Sequence, residues 1–329
     1  MASGIKYALL LLPTHFDQET GDRQLLPDMI SWRGKLSDLI AAAEVSHWKE
    51  WLGDIDWRFY DREVRLVLVT MPSQAAEMFD DETKALRQRL GIAFYAMLLA
   101  APSRPFSGVA QCVHGEALSV TPVVLKTVHG KENIEAIERP YYDKRLAFTK
   151  LLQDTPGLLR DPYLDRWAEL VKLLDTALKA GLPRILNVAF SAFKVALTRD
   201  SLEFAVPEFV RTVECILGLP RGKGGNVFAD RAMRVARQLQ NHWYVGGKDL
   251  QARIEELYQH RSDCVHGKVP FHTLLSAGAA GEDEAARFGY LAEALARECL
   301  LWVLNHPQHL QYFADRPTLE DAWAKNLLP

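Results

Sequence analysis

The rhythm of apolar and polar positions changes near residue 140 of the 329. Before it, short apolar runs are separated by turn-rich stretches. After it, apolar residues recur every three or four positions almost without a break, the signature of amphipathic helices. In the first region, Tyr7-Ala-Leu-Leu-Leu-Leu12 predicts a strand over about 5–12, followed by a loop and a helix near 28–44. Arg62-Glu-Val-Arg-Leu-Val-Leu-Val-Thr70 is a β-branched run with partial alternation, ended by Met71-Pro72. A helix is expected over about 79–101, then strands at 108–113 and 118–128 separated by Gly115-Glu-Ala.

In the second region the pattern predicts helices at about 142–153, 162–180, 183–198, 205–217, 227–241, 249–266 and 284–304. Asp161-Pro162 opens one of them, Gly181-Leu-Pro183 separates two, and Pro207 lies near the start of another. Short connections between successive helices favour an antiparallel bundle. The expected fold is α+β overall: a mixed α/β domain over 1–140, broken at Arg139-Pro140, and an all-α domain over 141–329. No repeat of 20–50 residues and no low-complexity tract interrupts it.

Composition narrows the function. With a net charge of −3 the chain is no general nucleic-acid binder, so any RNA site must be a local basic patch. The four cysteines, at 112, 215, 264 and 299, have no paired spacing. That argues against a zinc site or a disulfide framework and suits a reducing cytosol. The longest apolar segment, Leu90 to Pro102, reaches little more than half of the ~20 residues a bilayer requires. The Tyr7–Leu12 run is too short for a signal-peptide core. A cytoplasmic protein with no membrane partner is expected.

One segment points at a chemistry: Ile254-Glu-Glu-Leu-Tyr258-Gln-His260-Arg261-Ser-Asp-Cys-Val-His266-Gly267. It reads as the last turns of a helix closed by Gly267 in the left-handed conformation. Arg261 stays charged and its planar fork suits a phosphate. His266 can take and give a proton near neutral pH. Together they suffice for RNA cleavage without a metal or other cofactor. Spacing alone decides little, because Arg237 and His242 are separated in the same way and Val-His-Gly recurs at 113–115 and 128–130. Five residues turn a helix by about 500°, leaving the two side chains about 140° apart unless His266 sits on the capping turn. The competing reading is structural: a helix-end histidine on the carbonyl dipole, and an arginine bound to Asp263 or Glu214.

The wider pattern tips the balance. Leu257-Tyr-x-x-Arg-Ser-x-x-Val-His-Gly267 resembles the signature of HEPN domains, in particular the ApeA-like HEPN group, with Ser262 as the polar residue after the arginine. Upstream, Phe209-Val-Arg-Thr-Val-Glu214-Cys-Ile-Leu217 is similar to that group's helix with a glutamate in an apolar stretch. A loop over Gly218–Asn226 and a helix beginning Ala229-Asp-Arg-Ala follow in the same order, so the likeness covers about 184–304. The resemblance implies an HEPN-like helical bundle that dimerises, bringing two motifs into one cleft. It also implies an endoribonuclease that leaves a 2′,3′-cyclic phosphate and serves bacterial defence or a toxin. The N-terminal domain would then sense an unknown trigger or ligand, or position something.

The remaining candidates are weaker. Glu214 in its apolar stretch needs a cationic partner, and Arg261 is the one its position suggests. Tyr258, Ser262 and Lys268 are candidates to support the site or touch RNA. Arg221-Gly-Lys-Gly-Gly-Asn226 lacks the order of a phosphate-binding loop and reads as an inter-helix connection. His306-Pro-Gln-His309 has a spacing that could hold a metal on a helix, but Pro307 favours a loop, and no metal site is expected. No Gly-x-Ser-x-Gly elbow occurs. Trp48, Trp51, Trp57, Phe59 and Tyr60 could stack bases but read as a packed domain edge. The alternative for the whole chain is a non-catalytic HEPN-like dimerisation or RNA-binding module with a ligand- or protein-recognition domain before it.

Overall fold

The structure, a computed structural model, describes residues 5–11, 22–35, 64–72, much of 89–100, 123–128, 131–136, 161–197, 199, 201–220 and 224–329. The expected strand at 108–113, helix at 142–153, break at Arg139-Pro140 and aromatic run Trp48–Tyr60 lie outside the described residues. Most of the described residues are helical. Two compact units are present, one over Met1–Ala101 and His114–Asp175, the other over Pro102–Val113 and Thr176–Pro329.

The first unit carries a six-stranded sheet: β1 (Ile5–Leu11), β2 (Arg23–Leu26), β3 (Met29–Gly34), β4 (Val64–Pro72), β5 (Val123–Val128) and β6 (Lys131–Ala136). The strand order is β2-β3-β4-β1-β5-β6, with every neighbouring pair antiparallel. The two most apolar strands, β1 and β4, lie at the centre, with Ile5 opposite Pro72 and Leu11 opposite Leu66. Among the described strands, β2 and the polar β6 lie at the two edges of the sheet.

The helix expected from residue 28 is corrected here, since Met29–Gly34 is a strand. Pro27-Asp28 makes a two-residue turn that folds it back on β2, and turn chemistry outweighs the local helix signal. Within the same unit, the described residues of 89–100 are helical, and Ile92, Ala93, Ala96 and Leu99 are buried. They meet helix α1 (Asp161–Lys179), whose fully buried Trp167 donates from Nε1 to the Ala93 carbonyl at 2.9 Å. Arg89 ties Asp28 (2.9 Å) and Asp175 into the same layer.

The second unit is helical wherever it has regular structure among the described residues. Its helices are α2 (Arg184–Leu197), α3 (Leu202–Leu217), α4 (Gly225–Ala236), α5 (Leu250–Val265), α6 (Pro270–Leu275), α7 (Ala279–Asn305) and α8 (Arg316–Ala324). The 27-residue α7 is the central element, buried on nearly all sides from Phe288 to Leu304 and packed on α2, α3, α4, α5 and α6. Helix α3 packs on α2, α5, α6, α7 and α8, so its buried face needs the unbroken apolar series Val206, Phe209, Val210, Val213 and Ile216.

Elsewhere in this unit the structure departs from the sequence reading, as in the helix expected over 227–241, which ends at Ala236 and continues as a 3₁₀ turn to Asn241. Helix α3 begins at Leu202, which leaves Pro207 inside it. A proline this near the start removes few backbone bonds, so the helix persists. Helix α7 begins at Ala279, because Gly281 lets its first turn press against α6; a Cβ there would lie 2.0 Å from the Leu274 carbonyl oxygen. The loop expected at His306–His309 is corrected: Pro307–Phe313 is a 3₁₀ helix with proline in its first turn, where the missing N–H costs nothing.

Candidate functional site

Helix α5 carries the motif and is defined at both ends. Asp249 caps its start, accepting the Ala252 N–H at 3.2 Å. At its end the Gly267 N–H reaches the Cys264 carbonyl at 3.0 Å and the Lys268 N–H reaches Asp263 at 2.9 Å. These are the paired bonds of a Schellman cap, with Gly267 at φ 79° as the left-handed residue.

Leu250, Ile254 and Leu257 form the buried stripe of α5, and Arg261 continues it one turn later. The guanidinium is thereby aimed at α3, where Nη2 donates to Oε2 of Glu214 at 2.7 Å. The pair is half-buried, with 25% and 20% of the two side chains exposed. Arg261 Nε is buried without a hydrogen-bond partner.

Tyr258 stands beside this pair, with its ring 5.8 Å from the Arg261 guanidinium carbon. Burial raises the Tyr258 pKa above its ordinary value, with the Glu214 charge adding to the effect. One carboxylate therefore holds the arginine and acts electrostatically on the phenol from the same side of α5. The back of the Tyr258 ring rests on Phe228 at 4.8 Å and on Gly224, where a Cβ would come within 3.1 Å. The glycine-rich connection thus ends against the motif helix. Sequence reasoning named Tyr258 and Glu214 but missed Gly224, whose signal is only a glycine directly before a helix.

His266 has left the helix at φ −88° and ψ 14°, on the capping turn. Its backbone N–H bonds the Ser262 carbonyl at 3.0 Å, and its side chain is exposed. Among the described residues the imidazole has no hydrogen bond, ion pair or ring contact. Ser262 is half-buried and contributes that carbonyl. Lys268 is exposed and engages Asp263 at 2.9 Å, and this bond holds the Asp263 carboxyl below its ordinary pKa.

Of the six candidates, then, Arg261, Glu214 and Tyr258 are brought into one cluster. His266, Ser262 and Lys268 belong to the helix end.

Other groups nearby are occupied differently. His260 packs its ring on Phe271 and Phe288, with Nδ1 buried and unpartnered, and burial lowers its pKa. Arg253 is fully buried, lies 3.8 Å over the Phe288 ring, and is held by Glu256 at 2.9 Å and Glu284 at 2.5 Å. Glu203, in the first turn of α3, bonds the His272 amide and ties α3 to α6.

His306 donates from Nδ1 to the Trp302 carbonyl at 2.7 Å and stacks on His309 at 5.6 Å. Among the described residues no three His, Cys, Asp or Glu side chains are grouped to hold a metal, and no helix is long and apolar enough to cross a membrane.

Chemically, the arrangement offers an exposed proton-transfer group at a helix end and a half-sheltered cation on the same helix, clasped by a carboxylate. No family model, protein of described function or solved structure matches the chain.

Proposed function

We propose that this protein is a metal-independent endoribonuclease of HEPN type, with a helical HEPN-like domain that works as a homodimer and Arg261 and His266 as its catalytic pair. The single observation that supports it most is the exposed, unengaged His266 imidazole one turn beyond an arginine held by a dedicated carboxylate. A histidine needed only for packing would have its ring against other side chains, as His260 has on Phe271 and Phe288.

In the proposed reaction a neutral His266 imidazole takes the proton of a ribose 2′-hydroxyl. The oxygen forms a bond to phosphorus, the bond from phosphorus to the 5′-oxygen breaks, and that oxygen takes a proton from an imidazolium. The products are a 2′,3′-cyclic phosphate and a 5′-hydroxyl. Arg261 stabilises the additional negative charge at phosphorus. A second copy would supply the second histidine.

Phe204 in the first turn of α3, and Val265 and Val269 on either side of His266, are large apolar side chains left exposed, consistent with an interface beside the motif. The proposal extends to a cytoplasmic effector of bacterial defence or a toxin, whose N-terminal region senses an unidentified trigger.

The engagement of Arg261 by Glu214 favours a second reading: a non-catalytic dimerisation or RNA-binding module. Cleavage of labelled single-stranded RNA in EDTA, beside Arg261→Ala and His266→Ala, separates the two. Cyclic-phosphate ends lost in both folded variants support the nuclease. No cleavage, or cleavage that survives the substitutions, sinks it.

A further inference from the structure

Helix α6 has six residues and one buried side chain, Phe271. The Phe271 ring lies 5.4 Å from that of His260 on α5 and 6.4 Å from that of Phe288 on α7. His260 in turn meets Phe288 edge to face at 4.4 Å. A half-buried histidine therefore forms one wall of the socket that seats α6. The remaining holds lie along the backbone: the His272 amide donates to Glu203, and Gly281 lets α7 approach the Leu274 carbonyl.

His260 fits this socket only as a neutral ring. Its Nδ1 is buried with no hydrogen-bond partner. In the imidazolium both ring nitrogens carry a proton, so Nδ1–H would need an acceptor. The surroundings are already short of acceptors. Arg253, which lies 3.8 Å over the same Phe288 ring, has Nε and Nη2 buried and unpaired. A proton on His260 would also set a second cation against that ring.

The carboxylates whose charge acts on His260 are engaged elsewhere. Glu256 and Glu284 are held by Arg253 and Lys248, and Asp263 by Lys268 and Gln259. Burial and the Arg253 charge lower the His260 pKa, and Asp263, Glu256 and Glu284 oppose them without cancelling the effect. The cost of charging the ring in place is relieved if it turns out to water, and Phe271 then loses its wall.

We propose that His260 is an acid-operated catch: on taking up a proton its ring leaves the socket and releases α6 from α5 and α7. The turn over 266–269, which carries His266 and joins α5 to α6, moves with it. The catch belongs to the packing of the domain and stands whether or not the chain cuts RNA.

Hydrogen–deuterium exchange of the full chain tests this, with labelling times scaled to the intrinsic exchange rate at each pH. Between pH 7.5 and pH 5.5 the peptide over 268–278 should lose protection severalfold. The ceiling is about tenfold, because pH 5.5 lies one unit below the ordinary imidazole value of 6.5. Peptides from the middle of α7 should keep their protection. His260→Phe, which leaves a ring in the socket and does not titrate, should hold 268–278 equally at both pH values. His260→Gln serves if that variant does not fold. Unchanged protection of 268–278 in the wild type overturns the catch. So does an equal loss in a folded His260 variant, or a loss that the middle of α7 shares in full.

Discussion

Gly218 and Leu319 are packed so closely that a Cβ on the glycine would lie 2.6 Å from the leucine Cγ. Gly218 also sits at φ 55°, ψ 60°, and its N–H closes the last turn of α3 on the Glu214 carbonyl. Around it, Arg231 donates to the Leu217 and Gly218 carbonyls, Arg316 to Leu219, and Trp323 to Ile216. The end of the helix that presents Glu214 is therefore fixed by α4 and α8 rather than left to fray. Gly218→Ala combines an unfavourable left-handed backbone, about 1–2 kcal/mol, with a steric clash. We expect it to lower the urea midpoint substantially, while Gly267→Ala, which shares the backbone cost but has nothing within 4 Å of its Cβ, loses less.

Arg261 and His266 should differ in what they do for stability. Removing Arg261 leaves the half-buried Glu214 carboxylate without its ion-pair partner, a cost of about 1–2 kcal/mol. His266 projects from the cap into solvent, so His266→Ala should stay within about 0.5 kcal/mol of wild type. Chemical denaturation of the two variants checks this. A large loss for His266→Ala would mean that its ring packs against something, contrary to the exposed position described.

How far the sequence made these relationships legible depends on whether they are local. The Gly267 cap follows from a glycine placed after an apolar period, and it is where the motif reading put it. The Glu214–Arg261 pair was legible for a related reason: a single carboxylate in Val213-Glu-Cys-Ile needs a cation, and Arg261 continues the stripe of α5.

Non-local features were not legible. Strand β6, Lys-Glu-Asn-Ile-Glu-Ala, carries a polar sequence that only an edge position explains. Strand β3 reads as helix in isolation, because its pairing with β2 and β4 depends on the Pro27-Asp28 turn. The start of α7 at Ala279 rests on a contact of Gly281 with another helix. Phe228 and Gly224 became part of the site only once α4 was placed behind Tyr258.

Two half-buried histidines give the fold a pH dependence with a definite sign. Burial lowers the pKa of His260 and of His309 below the ordinary 6.5, with the charge of His306 adding to the effect on His309. Around His260, Asp263, Glu256 and Glu284 oppose the shift and Arg253 reinforces it. The unfolded chain therefore takes up protons that the folded chain refuses, so stability is complete above about 6.5 and falls as the pH drops below it. Melting temperatures measured downward from pH 7.5 should decline less steeply in His260→Gln, and less again when His309→Gln is added. Parallel curves for wild type and both variants would show that other groups set the acid limb.

The described cysteines should be poor nucleophiles in the folded protein. Burial pushes the Cys215 thiol up to about 11, and the Cys264 thiol up to about 11, with the charges of Glu203 and Asp263 reinforcing the second. Cys299 is wholly buried and raised further. Alkylation needs the thiolate, which is then scarce at neutral pH even though Cys264 is partly open to solvent and stands two residues before His266. Brief iodoacetamide treatment at pH 7.5, read by peptide mass, should label these three sites slowly in the native protein and rapidly in urea. Fast native labelling at Cys264 would mean that the end of α5 opens readily, and the cap at Gly267 would then be a poor guide to where His266 stands.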